Sequence, residues 1–148
     1  MSKLQKFIDF KNGKKRPNNC GIYPVYGGNG VLDYADSYNM SNCVIIGRVG
    51  VYCGNVYLSK NKCWVSDNAI SATAKDGLDT YYMYYLLKSL NLNKRQIGTS
   101  QPLLTQAILN NIDSEIPEIN IQTKIGQVLK SIEAKIEANE RINNNLAA

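Results

Sequence analysis

Few side chains in this sequence have the types and spacing that catalysis or metal binding would require. Its 148 residues include no histidine, which removes the commonest general base and any Ser-His-Asp or Cys-His arrangement. The four cysteines, at positions 20, 43, 53 and 63, lack the closely spaced pairs that a zinc site needs. We therefore predict no metal site, and we expect these thiols to be reduced and mostly buried.

The carboxylates and glycines also lack the spacing of a catalytic motif. The glycines of residues 27–30 fit neither the dinucleotide-binding fingerprint nor a P-loop. There is no Asn-Pro-Pro-aromatic run of the kind that amino-methyltransferases use on a flipped base. Several aspartates are scattered without a nuclease-like Asp…Glu-x-Lys cluster: Asp33, Asp36, Asp67, Asp76 and Asp79. An autonomous nuclease or methyltransferase would need a catalytic cluster, and the sequence shows none. We therefore predict no catalytic residue and interpret the chain as a binding module.

The charge of the chain favours a polyanionic partner without proving one. Seventeen basic and 12 acidic residues give a net charge of +5. The opening segment is locally electropositive, since only Asp9 opposes its bases, which are Lys3, Lys6, Lys11, Lys14, Lys15 and Arg16. A solvated N-terminal face would show the same pattern, so both interpretations stay open.

Length and hydropathy are those of one ordinary domain. A chain of 148 residues with 44% hydrophobic content can form a hydrophobic core without disulfides or a structural metal. No stretch approaches the roughly 20 apolar residues that span a bilayer. Residues 1–6 lack the apolar core of a signal peptide. We expect no membrane association and a cytoplasmic location.

The elements that must position any binding residues begin with a β-rich region. Residues 43–46 form a short apolar run, and residues 55–58 and 63–65 are two more strand-like pieces. We predict a polar turn at residues 59–62 between these two pieces. Residues 26–30 are predicted to form a loop, because three glycines in four residues disfavour a regular element.

Two capped helices are predicted next. Asp79 can cap a helix over residues 80–90, whose tyrosine-rich face we interpret as core. Residues 93–102 are polar, basic and turn-forming. Thr105 is expected to cap a short helix that ends near Ile112.

The composition changes after Pro117, where a long helix from about residue 121 to residue 146 is predicted. One face of this helix has residues spaced 4-3-4-3-4-3, which is typical of a coiled-coil seam. These seam positions are Ile125, Leu129, Ile132, Ile136, Asn139, Asn143 and Leu146. Val128 and Ile142 widen the apolar stripe. At 1.5 Å per residue the helix would form a rod of about 40 Å. We assign residues 1–119 to one domain and residues 120–148 to this helix.

The apolar stripe could pack on its own domain or on a partner helix. We favour a partner, because the helix is long and terminal and its seam is narrow. Asn139 and Asn143 would restrict the register of such a pair at some cost in stability. Gly126 costs about 1 kcal/mol relative to alanine inside a helix, which indicates close approach by another element. The predicted class is α+β: a β-rich domain with short helices, followed by a long coiled-coil-type helix.

These segments resemble, in order, the target-recognition domain and spacer helix of type I restriction-modification DNA specificity subunits. The matching runs are Tyr23–Gly30, Ile45–Gly50, Gly54–Val56, Trp64–Ile70, Gly98–Pro102, Leu104-Thr105, Ile116-Pro117 and Gln122-x-Lys124-Ile125. Ile121 stands where the family often has an acidic residue. The larger departure is that a usual member carries two recognition domains and two spacer helices, whereas this sequence shows one of each.

The resemblance implies a subunit without catalysis or cofactors of its own. It would clamp double-stranded DNA and dock methyltransferase subunits, which supply S-adenosylmethionine chemistry. Through them it would reach the restriction and translocase subunit, which uses ATP and Mg. In the family, two spacer helices pair antiparallel and fix the distance between two half-sites. One domain and one helix could rebuild that arrangement as a two-fold homodimer that reads a bipartite palindromic site.

Candidate DNA contacts follow from side-chain chemistry. Loop cations suit phosphates, whereas Arg favours guanine and Asn or Gln favours adenine in base readout. For phosphates we select Lys14, Lys15, Arg16, Lys94 and Arg95, and for base edges Asn29, Arg48 and Gln101. Each could instead make a surface ion pair or a turn hydrogen bond. The predicted dimer interface is Ile125, Val128, Leu129, Ile132, Ile136, Asn139, Ile142, Asn143 and Leu146.

A second hypothesis is an interaction-only protein. In that case the chain would be a recognition cassette that is passed to a full-length subunit by recombination, or one that pairs with another specificity chain.

Overall fold

The computed structural model describes residues 1–147, so Ala148, the last residue of the predicted helical segment, lies outside the described residues. The strands are β1 (Ser2–Lys3), β2 (Ile8–Asn12), β3 (Tyr23–Gly27), β4 (Gly30–Ala35), β5 (Met40–Gly47), β6 (Val56–Val65), β7 (Ala69–Ala74) and β8 (Asp113–Ser114). The α-helices are α1 (Thr80–Ser89), α2 (Gln106–Asn110) and α3 (Ile119–Ala147). The predicted α+β class with a long C-terminal helix is confirmed. Within the described residues no helix is long and apolar enough to cross a membrane.

The strands form one mixed sheet and one small pair. The six-stranded sheet has the order β2-β7-β5-β6-β3-β4, and β1 pairs with β8. Neighbours in the large sheet run antiparallel, except that the last residues of β6 pair with β3 in parallel, Trp64 with Val25 and Val65 with Tyr26. The central strand β5 is therefore covered on both edges.

Both faces of β5 are also buried, as its continuous apolar run predicts. Val44 and Ile46 face a large cluster that includes Met83 and Leu87 of α1. The intervening side chains enter a smaller cluster, formed by Cys43, Ile45, Cys63, Val65 and Ala69. The two-residue period of the strand thus divides the core into two parts, one under the helices and one under the end of β6.

Truncation of Leu87 tests the larger cluster. Leu87 is completely buried, so Leu87→Ala should lower the free energy of unfolding by about 2–5 kcal/mol, through lost apolar burial and the cavity left behind. Urea denaturation at fixed protein concentration measures this change. Leu32→Ala is the matched control, because Leu32 is 53% exposed and its loss should change stability little. Equal effects of the two substitutions would contradict this description of the core.

The predicted turn at residues 59–62 is wrong, because β6 continues through it. The register between β5 and β6 shifts at this point: Cys43 pairs with Ser59, and Ser41 pairs with Lys62. Asn42 has a φ of 51°, and the Ser59 hydroxyl donates to the Asn61 carbonyl at 3.0 Å. The polar residues therefore form a β-bulge, in which Ser59 is buried and residues 60–62 are exposed, and the strand does not end there.

The predicted loop at residues 26–30 is shorter in the structure. Gly27 and Gly30 are the last residue pair of the β3–β4 hairpin, which leaves Gly28 and Asn29 as a two-residue turn. Gly30 has a φ of 90°, which glycine adopts at no steric cost. The glycines thus allow a tight hairpin in place of an open loop.

The predicted helix caps are confirmed. The Asp79 carboxylate accepts a hydrogen bond from the Tyr82 amide at 2.9 Å, and the Thr105 hydroxyl accepts from the Ile108 amide at 3.2 Å. Tyr82 is buried, and the other tyrosines of α1 are half-buried, as expected for a core face.

Three of the four cysteines are buried, and Cys20 is exposed. The prediction that the thiols are mostly buried is therefore confirmed. The Cys43 and Cys63 thiols lie together in the smaller cluster, and the interaction with Cys63 together with burial raises the pKa of Cys43.

Helix α3 packs on α1 near its start and then leaves the domain. Gln122 and Gly126 are its buried residues. A Cβ at Gly126 would lie 3.2 Å from the Cβ of Tyr81, which confirms the predicted close approach. Most of the apolar stripe does not share this contact: Leu129 is half-buried, but Ile132, Ile136 and Leu146 are 47%, 50% and 80% exposed. The helix therefore carries a separate apolar face to solvent.

Candidate nucleic-acid interface

Several connecting segments meet around Arg48, immediately after β5. The Arg48 amide donates to the Asn68 carbonyl at 3.0 Å, and its own carbonyl accepts from the Leu104 amide at 2.9 Å. The Gly50 amide donates to the Pro102 carbonyl at 3.0 Å. Main-chain hydrogen bonds therefore join the β5–β6 connection to the β6–β7 turn and to the segment before α2.

The side chain of Arg48 is half-buried in this junction. Its Nη1 donates to the Asp67 carbonyl at 3.2 Å. Its Nε is buried without a hydrogen-bond partner in the part of the chain that the structure describes. A guanidinium has five N–H donors, so a single protein contact fixes its place and leaves donors for another acceptor.

Glycines close the β5–β6 connection. Gly47 donates to the Asn55 carbonyl and accepts from the Gly54 amide, both at 2.8 Å. A Cβ at Gly47 would collide with the Tyr52 carbonyl. The Cys53 thiol donates to the Arg48 carbonyl at 3.4 Å, and burial raises the pKa of this thiol, which keeps the proton in place. The connection is thus a closed turn that fixes the position of Arg48.

The other two base-edge candidates lie at the same junction. Asn29 is at the tip of the β3–β4 hairpin, where its Oδ1 accepts from the Tyr57 hydroxyl at 3.1 Å. The neighbouring Gly28 approaches both Gly47 and Asn68. Gln101 is exposed beside a cavity of about 400 Å³ that is lined by Val49, Gly50, Gln101, Pro102 and Leu103. The structure therefore brings Asn29, Arg48 and Gln101 to one end of the domain.

The N-terminal phosphate candidates divide between two environments. Lys14 lies against the end of β6: its amide donates to the Val65 carbonyl, and its carbonyl accepts from the Trp64 indole, both at 3.0 Å. Its side chain and that of Lys15 are exposed. Arg16 instead faces Asp33 of β4 at 3.5 Å, which is the surface ion pair that the sequence left open.

Lys94 and Arg95 are exposed at the end of a short 3-10 turn, Leu92–Lys94. The Arg95 Nε donates to the Leu90 carbonyl at 3.2 Å. Gly54, with a φ of 90°, packs directly against Asn93. This contact places the second basic segment next to the Arg48 junction.

Sequence reasoning missed a second group of cations. Lys60 and Lys130 both lie over the Tyr81 ring, 4.8 and 4.5 Å from its centroid, and Lys62 lies 4.7 Å from that of Tyr38. Lys60 and Lys62 also line a second cavity, of about 660 Å³, at the β6 bulge. Because residues 59–62 were predicted to form a turn, nothing in the sequence placed Lys60 or Lys62 beside a helix.

The chain thus consists of a β-rich domain, whose connecting segments meet at one end, and a projecting helix. A family model described as "Type I restriction modification DNA specificity domain" matches residues 2–148, and the chain belongs to this family. The resemblance seen in the sequence motifs is confirmed.

Curated specificity subunits are similar to this chain in sequence. The chain is 28% identical over 123 residues to the type I restriction enzyme EcoprrI specificity subunit of Escherichia coli, covering 82% of this chain and 31% of that protein. It is 25% identical over 118 residues to a putative type I restriction enzyme specificity subunit of Haemophilus influenzae, covering 77% and 31%. The chain thus spans about a third of the length of these curated relatives.

Two solved structures share the fold. One is the S subunit of a type I restriction-modification system from M. genitalium, with a TM-score of 0.78 at 20% identity, covering 92% of this chain and 39% of that one. The other is the HsdS subunit from Thermoanaerobacter tengcongensis, with a TM-score of 0.70 at 16% identity, covering 94% and 38%.

Proposed function

We propose that this chain is a non-catalytic DNA-recognition subunit of a type I restriction-modification complex. The observation that carries the proposal is the convergence of Asn29, Arg48 and Gln101 at one end of the domain, with exposed cations on either side. Such an arrangement combines base-edge donors and acceptors with phosphate contacts. Residues 1–119 would form the recognition domain.

The two kinds of contact would have different roles. Arg48 is held by a closed turn, so its free N–H groups can meet guanine acceptors in a fixed geometry, while Asn29 and Gln101 suit adenine. Lys14, Lys15, Lys94, Arg95 and, once released from Asp33, Arg16 would contact phosphates. Phosphate contacts position the domain on the duplex without carrying sequence information.

The exposed stripe on α3 supports pairing through this helix. Residues 134–147 have no hydrogen bond or ion pair to the domain in the described part of the chain, yet they carry Ile136, Ile142 and Leu146, which are half or more exposed. Water contact with such a stripe is unfavourable, and a second copy of α3 would cover it. An antiparallel pair of rods of about 40 Å would separate two domains by roughly one DNA turn, about 34–36 Å. The homodimer would then read a bipartite palindromic site.

The proposed partners and cofactors follow from this role. Methyltransferase subunits would dock on the chain and, through them, the restriction and translocase subunit. S-adenosylmethionine, ATP and Mg would belong to those partners. The complex would act in the cytoplasm, with the DNA that it reads.

DNA binding is expected to be steeply salt-dependent. A dimer with several cations on phosphates should lose on the order of 1,000-fold in affinity between 50 and 200 mM salt. Fluorescence anisotropy with duplexes selected from a random pool measures this loss and shows whether the selected sites are palindromic. Absence of any selected sequence would contradict the proposed function.

The same stripe could pair with another specificity chain. Co-expression with a methyltransferase subunit and methylome sequencing distinguish the two arrangements. Methylation of symmetric sites supports the homodimer, whereas asymmetric sites that require a second specificity chain support hetero-pairing.

A further inference from the structure

The side chain of Gln122, in the first turns of α3, is 1% exposed although glutamine is ordinarily a surface residue. Its Oε1 accepts from the Asp79 amide at 2.9 Å. Its Nε2 donates to the Gly77 carbonyl at 2.9 Å and to the Pro117 carbonyl at 2.8 Å. Both amide hydrogens and the oxygen are therefore satisfied by main-chain groups, which compensates the cost of burial.

These three main-chain groups lie where two helices begin. Asp79 immediately precedes α1 and Gly77 lies three residues before it, while Pro117 lies two residues before α3. Asp79 is also the N-cap of α1, so its backbone amide is held by Gln122 while its carboxylate holds Tyr82. One buried amide thus ties the start of α3 to the start of α1.

Two further contacts continue this attachment along α3. Gly126 lets the helices approach closely, since a Cβ there would lie 3.3 Å from the Asp79 carboxylate. Further along, Glu133 accepts from the Tyr85 hydroxyl at 2.8 Å and faces Lys88 at 3.4 Å. Burial and the Glu133 hydrogen bond raise the pKa of Tyr85, which keeps this donor protonated. The attachment spans residues 122–133, and the remainder of α3 projects from it.

We propose that Gln122 is a positioning residue that sets the direction in which α3 leaves the domain, and thereby the separation of the half-sites that a dimer reads. The second clause rests on the proposed function. Residues 134–147 extend about 21 Å beyond the attachment, so a rotation of about 10° there moves the end of the helix by about 4 Å. This displacement is about one base-pair step, roughly 3.4 Å along the duplex.

The test replaces the buried amide in the full chain. Gln122→Met keeps the length of the side chain and removes all three hydrogen bonds, so the direction of α3 should vary. Wild-type protein is measured on its selected duplex with the half-site separation changed by one or two base pairs. We expect wild-type to prefer one separation over its neighbours by about 10-fold, and Gln122→Met to reduce that preference below about 3-fold. An unchanged preference in Gln122→Met would overturn the proposal.

Gln127→Met is the matched control, because Gln127 is exposed on the same helix and the chemical change is identical. It should keep the wild-type spacing preference. Gln122→Glu is the second variant if Gln122→Met does not fold: it retains the acceptor for the Asp79 amide but cannot donate to both carbonyls. Its preference should fall between those of wild-type and Gln122→Met, and a wild-type value would count against the proposal.

A DNA-independent measurement separates this proposal from the proposed function. Spin labels on Cys20, which is exposed, and on a Glu137→Cys substitution report the distance between domain and projecting helix, in samples diluted with unlabelled protein. Gln122→Met should broaden this distance distribution, and Gln127→Met should not. An unbroadened distribution overturns the role of Gln122. Failure of wild-type to bind DNA, with the broadening observed, overturns the proposed function and leaves the positioning role standing.

Discussion

Replacing both Ile132 and Ile136 with lysine should convert the proposed dimer into monomers and weaken DNA binding by on the order of 100-fold or more. Each side chain is about half-exposed on the apolar stripe of α3, and neither belongs to the two core clusters. Opposed lysines in a paired seam would place like charges in apolar contact. Monomers would then bind one half-site at a time. Analytical ultracentrifugation and anisotropy with a palindromic duplex measure the two effects.

Ala134→Lys is the control for that experiment. Ala134 is exposed on the same segment but lies away from the stripe, so the added charge should leave the dimer intact. Near-ultraviolet circular dichroism should show that the domain of the double variant remains folded. A double variant that still dimerises would show that another surface pairs the chains, and a wild-type monomer at micromolar concentration would remove the symmetric dimer altogether.

The second large effect is expected at Arg48. A bidentate arginine–guanine contact discriminates by about 1–3 kcal/mol, and a two-fold dimer would contain two. Arg48→Ala should therefore reduce affinity for the proposed palindromic site by on the order of 100-fold while changing non-specific binding little. Binding to a matched panel, in which each base pair of the site is varied in turn, should show relaxed selectivity at one symmetric position.

Arg95→Ala provides the comparison, because it removes the same side chain from a phosphate candidate. Its effect should be similar on all sequences, and the slope of log affinity against log salt should fall by about one per copy. If Arg48→Ala weakened every sequence equally, Arg48 would be a phosphate contact and the assignment of base readout would be wrong.

Features of this fold that depend on neighbouring residues were predictable from sequence. Asp79 and Thr105 act through amides three residues away, so their caps are visible in the local pattern. The apolar spacing of α3 is similarly local, as is the cost of Gly126. These local patterns were sufficient to predict the helices and the close contact between α3 and another element.

Features that depend on distant residues were not predictable in the same way. The polar residues 59–62 have the composition of a turn, but pairing with β5 holds them in a bulge. The anchoring of Arg48 joins carbonyl and amide groups at positions 67, 68 and 104, which no spacing rule connects. Gln122 gave no sign of burial, because its three partners become neighbours only when α3 docks on α1. Side-chain chemistry could therefore select candidate DNA contacts, but only the three-dimensional fold shows which of them are neighbours.

The segments around Arg48 are joined almost entirely through main-chain groups, such as the amide of Gly50 and the carbonyl of Pro102. Backbone amides and carbonyls are the same for nearly every amino acid, so the scaffold at this end of the domain does not depend on which side chains it displays. With the base contacts proposed above, substitutions at Asn29 or Gln101 would therefore alter the sequence that is read without unfolding the protein. The proposed surface would then change its specificity through the displayed side chains alone, while Gly47 and Gly54 stay constrained because a Cβ at either position would collide with the backbone.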